Sequence, residues 1–135
     1  MTDPRPDWDT YYLGFAHAAA ARADCTRRKV GAIIVLGDRI VSSGYNGAPK
    51  GKPGCLSAGA CPRGRMSLTE VVPGSSYDTG SGACIALHAE QNAILRAGLE
   101  CRGATLYITH KPCDGCARFI EGSGIVRVVY PDDSK

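Results

Sequence analysis

His88 and Glu90 stand one residue apart, and Pro112, Cys113 and Cys116 follow downstream. One imidazole and two thiolates are a ligand set that suits Zn²⁺, and three protein ligands leave a fourth position for water. A structural zinc site would close that position with a fourth side chain. Cys113 and Cys116 are three apart at the expected start of a helix, so their sulfurs share a face and the positive helix end favours the thiolates. Glu90 is the wrong partner for a closed thiolate site and the right one for a water, where it would act as general base. Cys-x-x-Cys with a distant His also occurs in closed zinc ribbons, and His-x-Glu alone is a weak pattern. It is their union, with Pro112, that points to catalysis.

These groups need elements to bring them together. From Trp8 through Tyr12, Phe15 and Ala19 the apolar positions step by four, three and four, which predicts an amphipathic helix to about Ala23 covering a sheet with that face. Val30 to Leu36 and Arg39 to Gly44 are β-branched runs joined by Gly37 and Asp38, an antiparallel hairpin signal. Residues 45 to 83 lack periodicity and are crowded with Gly, Pro and Ser, which reads as a long irregular excursion, an insertion at about 48–83, inside one domain spanning 1–135. Cys84 to Ala97 reads as a helix with His88 and Glu90 in its first turns. Ala104 to Thr109 is a strand, Pro112 to Glu121 a helix and Ile125 to Tyr130 another strand, a βαβ unit. The expected fold is α/β: a mixed sheet of an antiparallel hairpin and parallel strands, with helices on both faces.

Bulk properties narrow the function. A chain of 135 residues that is 44% hydrophobic fits one domain with one core. The formal charge of +3 is small and its basic residues are scattered, which gives little support for a nucleic-acid partner and suits a small anionic substrate equally well. No run of eighteen apolar residues marks a membrane span, and Asp3, Arg5, Asp7 and Asp9 replace the apolar core of a secretory signal, so a cytoplasmic protein is expected. Seven cysteines without such a signal read as metal ligands rather than a disulfide framework.

The His-x-Glu and Pro-Cys-x-x-Cys pair resembles the zinc nucleobase deaminases. More closely, the chain resembles the deoxycytidylate deaminase family through Val30 to Val35, Gly44-Tyr45-Asn46-Gly47, His88 to Ile94, and Pro112 to Ala117. The likeness covers nearly the whole chain, and Gly44 to Gly47 discriminates best against tRNA adenosine deaminases. It implies a three-layer cytidine-deaminase-like fold and the zinc-dependent hydrolysis of dCMP to dUMP and ammonia. On that chemistry zinc would lower the pKa of its water, Glu90 would take the proton, and the zinc-bound hydroxide would attack C4. Glu90 would then return the proton to the ring nitrogen and assist departure of ammonia.

By the same resemblance the Asn matching Asn46 lies near the nucleotide's sugar and phosphate, and backbone at Ala89 helps read the base. The plain alternative for Asn46 is a turn residue with Gly47. Candidates for the phosphate are Arg27, Arg28, Lys29, Lys50, Lys52 and Lys111, the last beside the zinc thiolates. Cys25, Cys55, Cys61 and Cys84 frame the excursion and are candidates for a second, structural zinc, with buried thiols or a Cys55 to Cys61 disulfide as alternatives. Cys101 reads as a small hydrophobe. The resemblance also implies a homo-oligomer, often a hexamer, regulated by dCTP and dTTP with Mg²⁺. Competing readings are a deaminase of another cytosine nucleoside, nucleotide or modified deoxycytidylate, and a non-catalytic zinc-stabilised binding module.

Overall fold

A computed structural model describes residues 3–24, 28–47 and 87–131. Helix α1 (Trp8–Ala20) opens on Asp7, whose carboxylate accepts a hydrogen bond from the Thr10 amide at 2.8 Å and so satisfies one of the free donors of the first turn. Strands β1 (Gly31–Leu36) and β2 (Arg39–Tyr45) form the expected hairpin around Gly37, whose φ of 65° is open to a residue without a Cβ. Helix α2 (Ala89–Ala97) runs into a 3₁₀ turn at Gly98–Cys101, and β3 (Thr105–Ile108), α3 (Asp114–Gly122) and β4 (Arg127–Val129) follow.

The four strands order as β2-β1-β3-β4. β1 is antiparallel to both neighbours, while β3 and β4 are parallel, as a strand-helix-strand crossover requires. Alternation along β1 and β3 divides the core. Ile33, Val35 and Tyr107 face α1 through Tyr12, and Ala32, Ile34, Leu106 and Ile108 face α2 and α3 through Ala93, Ile94 and Ile120. Helices thus lie on both faces, and β1 is buried along five of its six residues. Cys101 is fully buried in the second cluster, as a small hydrophobe would be.

The stripe expected on α1 is displaced. Tyr12 is buried, but Trp8 and Phe15 are exposed, and the face against the sheet is Tyr12, Ala16 and Ala20. A Cβ on Gly31 would meet the Ala16 carbonyl oxygen at 2.0 Å, so α1 crosses β1 at backbone contact and small residues must occupy the crossing. The helix also ends at Ala20 rather than near Ala23. Its first turn is tied to the far edge of the sheet. Asp9 receives Arg127 Nη2 at 2.6 Å and Nη1 at 2.9 Å, and Tyr107 donates its hydroxyl at 2.8 Å. Arg127 holds the Asp9 carboxyl below the usual range, and burial followed by Asp9 pushes Tyr107 up to about 12. Among the described residues no helix is long and apolar enough to cross a membrane.

Candidate active site

The register pairs Gly31 with Tyr45 and Ala32 with Ile108, so the start of β1 and the ends of β2 and β3 share one end of the sheet. Both site helices begin there. Gly47 and Leu87 exchange two backbone hydrogen bonds, at 2.7 and 3.1 Å, which brings the chain to His88 just ahead of α2. On the other side β3 leads through Thr109 to Cys113 just ahead of α3. The Thr109 hydroxyl, buried, accepts from the Gly31 amide at 3.1 Å and lies 2.8 Å from His110 Nδ1.

His88 and Cys113 are therefore the N-caps of two helices rather than helical residues, while Glu90 and Cys116 lie in the first turns of those helices. Gln91 Oε1 accepts from the His88 amide at 2.8 Å, fixing the backbone from which the imidazole departs. Cys113 Sγ likewise accepts from the Cys116 amide at 3.5 Å.

His88 Nδ1 lies 3.0 Å from Cys116 Sγ and 3.9 Å from Cys113 Sγ, and the three ligand atoms all fall within 4.8 Å of one another. Tetrahedral zinc with bonds of ~2.0 to ~2.3 Å would set such atoms roughly 3.5–3.8 Å apart, so the donors bracket the required spacing. Charge tells the same way. Burial, and then the neighbouring Glu90 carboxylate and Cys113 sulfur, push the Cys116 thiol well above its usual value. These surroundings disfavour a thiolate at Cys116, and a divalent ion held by the three ligands would reverse the balance. The residues fit Zn²⁺, held by His88, Cys113 and Cys116. Among the described residues no fourth side chain joins the three ligands.

Glu90 is 3% exposed, and its Oε1 stands 3.9 Å from His88 Nδ1. It faces the ligand cluster from inside the fold, beside the metal position and not in it. Asn46 is half-buried at the end of β2. Its Oδ1 accepts from the Val30 amide at 2.8 Å and its Nδ2 donates to the Arg28 carbonyl at 2.7 Å. Ala89 is fully buried at the first position of α2, and Lys111 is exposed on the loop between β3 and α3. Arg28 and Lys29 are exposed. Cys25, Cys55, Cys61, Cys84, Arg27, Lys50, Lys52 and the insertion at 48–83 lie outside the described residues.

Several supporting residues carried no role in the sequence reading. Ala89 O and Ala93 N would lie 2.4 and 2.5 Å from a Cβ on Gly44, so α2 rests on β2 at backbone contact. Ser42 Oγ donates to the Ala93 carbonyl at 2.7 Å, and Asn92 Nδ2 donates to the Tyr45 carbonyl at 2.8 Å. For Gln91 the signal was its place three residues after the N-cap; Ser42 and Thr109 had none.

The chain matches the family model described as the cytidine and deoxycytidylate deaminase zinc-binding region over residues 6–131. It is 52% identical over 132 residues to the deoxycytidylate deaminase of Mycobacterium phage D29, covering 96% of this chain and 98% of that one. The deoxycytidylate deaminase of Schizosaccharomyces pombe is 42% identical over 128 residues; there the match spans 93% of this chain but 37% of the larger protein. Among solved structures, the apo dCMP deaminase of cyanophage S-TIM5 superposes with a TM-score of 0.65 at 27% identity, over 93% of this chain and 83% of that one. With one imidazole, two cysteine sulfurs and a buried glutamate at the start of two helices, this chain belongs to the cytidine and deoxycytidylate deaminase zinc-binding family.

Proposed function

We propose that the protein hydrolyses dCMP to dUMP and ammonia. The observation that carries this reading is the convergence of His88 Nδ1 and the Cys113 and Cys116 sulfurs within 4.8 Å, with the Glu90 carboxylate buried beside them. Zinc, when bound, supplies the Lewis acidity that makes water a nucleophile near neutral pH. Glu90 accepts the proton of the attacking water, passes it to the ring nitrogen next to C4, and carries a second proton to the departing amine. Water adds at C4, the C4–N bond breaks, and ammonia leaves, so one carboxylate alternates between base and acid. Its burial keeps it out of bulk water and at a fixed distance from the reacting carbon.

Substrate contacts follow from the same frame. The Asn46 carboxamide is oriented by its bonds to Arg28 and Val30, which leaves one N–H and one lone pair to meet the sugar. The Ala89 amide, in the first turn of α2, has no acceptor within its helix and is suited to the base. Of the phosphate candidates, Lys111, Arg28 and Lys29 are exposed among the described residues. The cyanophage enzyme of this fold has been solved in complex with dCMP and dUMP, which supports a nucleotide monophosphate as substrate.

The deciding experiment is a substrate panel of dCMP, deoxycytidine, cytidine and cytosine, run beside a Glu90→Ala variant that retains zinc. Preference for dCMP, lost in the variant, supports the reading; preference for a cytosine compound without a 5′-phosphate overturns the choice of substrate. We extend the reading to a cytoplasmic homo-oligomer, a hexamer by analogy, controlled by dCTP and dTTP with Mg²⁺, for which sedimentation and nucleotide titrations are the tests. Cys25, Cys55, Cys61 and Cys84 would hold a second zinc, and one zinc per chain on metal analysis would rule it out.

A further inference from the structure

Tyr45, Asn46 and Gly47 are three consecutive residues, and each is tied to a different part of the site. The Tyr45 carbonyl accepts from Asn92 Nδ2 at 2.8 Å, the Asn46 carboxamide bridges the backbone at Arg28 and Val30, and Gly47 pairs with Leu87 immediately before His88. Asn92 is on α2, two residues beyond Glu90, so the two side chains leave the helix on nearly opposite sides. That placement matters for the way α2 is held. Its contact with Gly44 is made by Ala89 and Ala93, small residues that allow close approach but offer little to stop the helix from rolling about its own axis. A roll of about ten degrees would move a carboxylate some six ångströms from the axis by roughly 1 Å, an error large enough to matter for a reacting group. A hydrogen bond reaching sideways from the helix to the strand opposes such a roll.

Ser42 also joins β2 to α2, through the Ala93 carbonyl at 2.7 Å. Its bond ends lower on the helix and lies outside the Tyr45–Gly47 segment. The Asn92 bond ends on the residue preceding Asn46.

We propose that Asn92 is a positioning residue that couples the Tyr45–Gly47 segment, which holds the sugar end of the substrate, to the helix that aims Glu90. It rests on the reading of Asn46 as a substrate contact. Its consequence is that engagement of the substrate's remote end is converted into alignment at the reacting carbon, so that it raises kcat as well as lowering KM.

The test compares Asn92→Ala and Asn92→Asp with Ser42→Ala, each in the zinc-loaded protein. Asn92→Asp keeps the shape and removes the donor. For dCMP, both Asn92 variants should lose about tenfold or more in kcat with KM changed by less than about threefold and zinc content equal to wild type. The ratio of kcat for dCMP to kcat for cytosine, which lacks the sugar, should fall toward one. Ser42→Ala should lose comparable thermal stability and keep kcat within about twofold. Equal losses of kcat in the Asn92 and Ser42 variants, a loss of zinc from the Asn92 variants, or an unchanged ratio would each overturn the proposal. Should wild type act on a different cytosine substrate, the dCMP reading fails by itself. The kcat comparison, made on that substrate, then still decides the role of Asn92.

Discussion

The sheet carries a helix from a glycine on each face, and the two contacts are built differently. On one face α1 meets Gly31 through Ala16 and Ala20, its remaining grip coming from Tyr12 against Ile33, Val35 and Tyr107 and from the Asp9–Arg127–Tyr107 cluster at one end. On the other, α2 meets Gly44 through Ala89 and Ala93 and adds directional bonds from Ser42 and Asn92, with Arg96 Nη1 donating to the Ser43 carbonyl at 3.1 Å. Dispersion and burial tolerate small slides; a hydrogen bond fixes both distance and direction. The covering helix has directional bonds at its first turn, through Asp9, and is held over the sheet by packing along the rest of its length. The helix that presents Glu90 beside the metal ligands needs fixed distance and direction, the part assigned above to the Asn92 bond and not to that of Ser42, because chemistry is sensitive to displacements that stability scarcely registers.

Substitutions can break this contrast, beginning with the most severe. Cys116→Ala removes a buried ligand from the side of the site that α2 and α3 share. It should abolish zinc retention and lower activity by more than about a thousandfold, measured by metal content and ammonia release. Gly44→Ala forces α2 away from β2, and activity per folded molecule should fall by about a hundredfold. Gly31→Ala meets an equally hard contact under α1, so thermal melting should reveal a loss of several kcal/mol while the folded fraction stays active. Comparable activity losses in the two glycine variants would erase the distinction between the faces.

Milder changes sharpen it. Asp9 has a depressed folded pKa, so its contribution to stability is present above the ordinary carboxylate value of 3.8 and lost as pH falls through the depressed one. Asp9→Asn should therefore melt a few degrees lower than wild type at pH 7, with the gap closing in acid and kcat unaffected. Trp8→Ala, at a site 70% exposed, should shift stability by no more than about 0.5 kcal/mol in equilibrium unfolding.

What could be read from the sequence depended on whether the signal was local. The β1–β2 hairpin was legible because β-branched runs and a Gly37-Asp38 turn specify it within fifteen residues. The metal ligands were legible because His-x-Glu and Pro-Cys-x-x-Cys each place their groups within one helical turn, and the fold needed only to bring the two starts together. The buried face of α1 was not. Spacing alone favoured the large residues Trp8 and Phe15, whereas the face is chosen by a backbone crossing at Gly31 that no local pattern encodes. Asn46 shows the same limit: its carboxamide is bound to Arg28 and Val30, sixteen or more residues away in sequence. A turn preference could suggest where it sits but not what it grips.

His88 and Cys113 occupy the residue just ahead of α2 and of α3. An ion gripped by both is, mechanically, a rivet through the ends of two rods, and extracting it with a chelator should let each rod unwind from the riveted end. Amide exchange would then quicken first at 89–92 and 114–117 and only later at 94–97 and 119–122, a directional unravelling that distinguishes a metal woven into the scaffold from one merely resting on it.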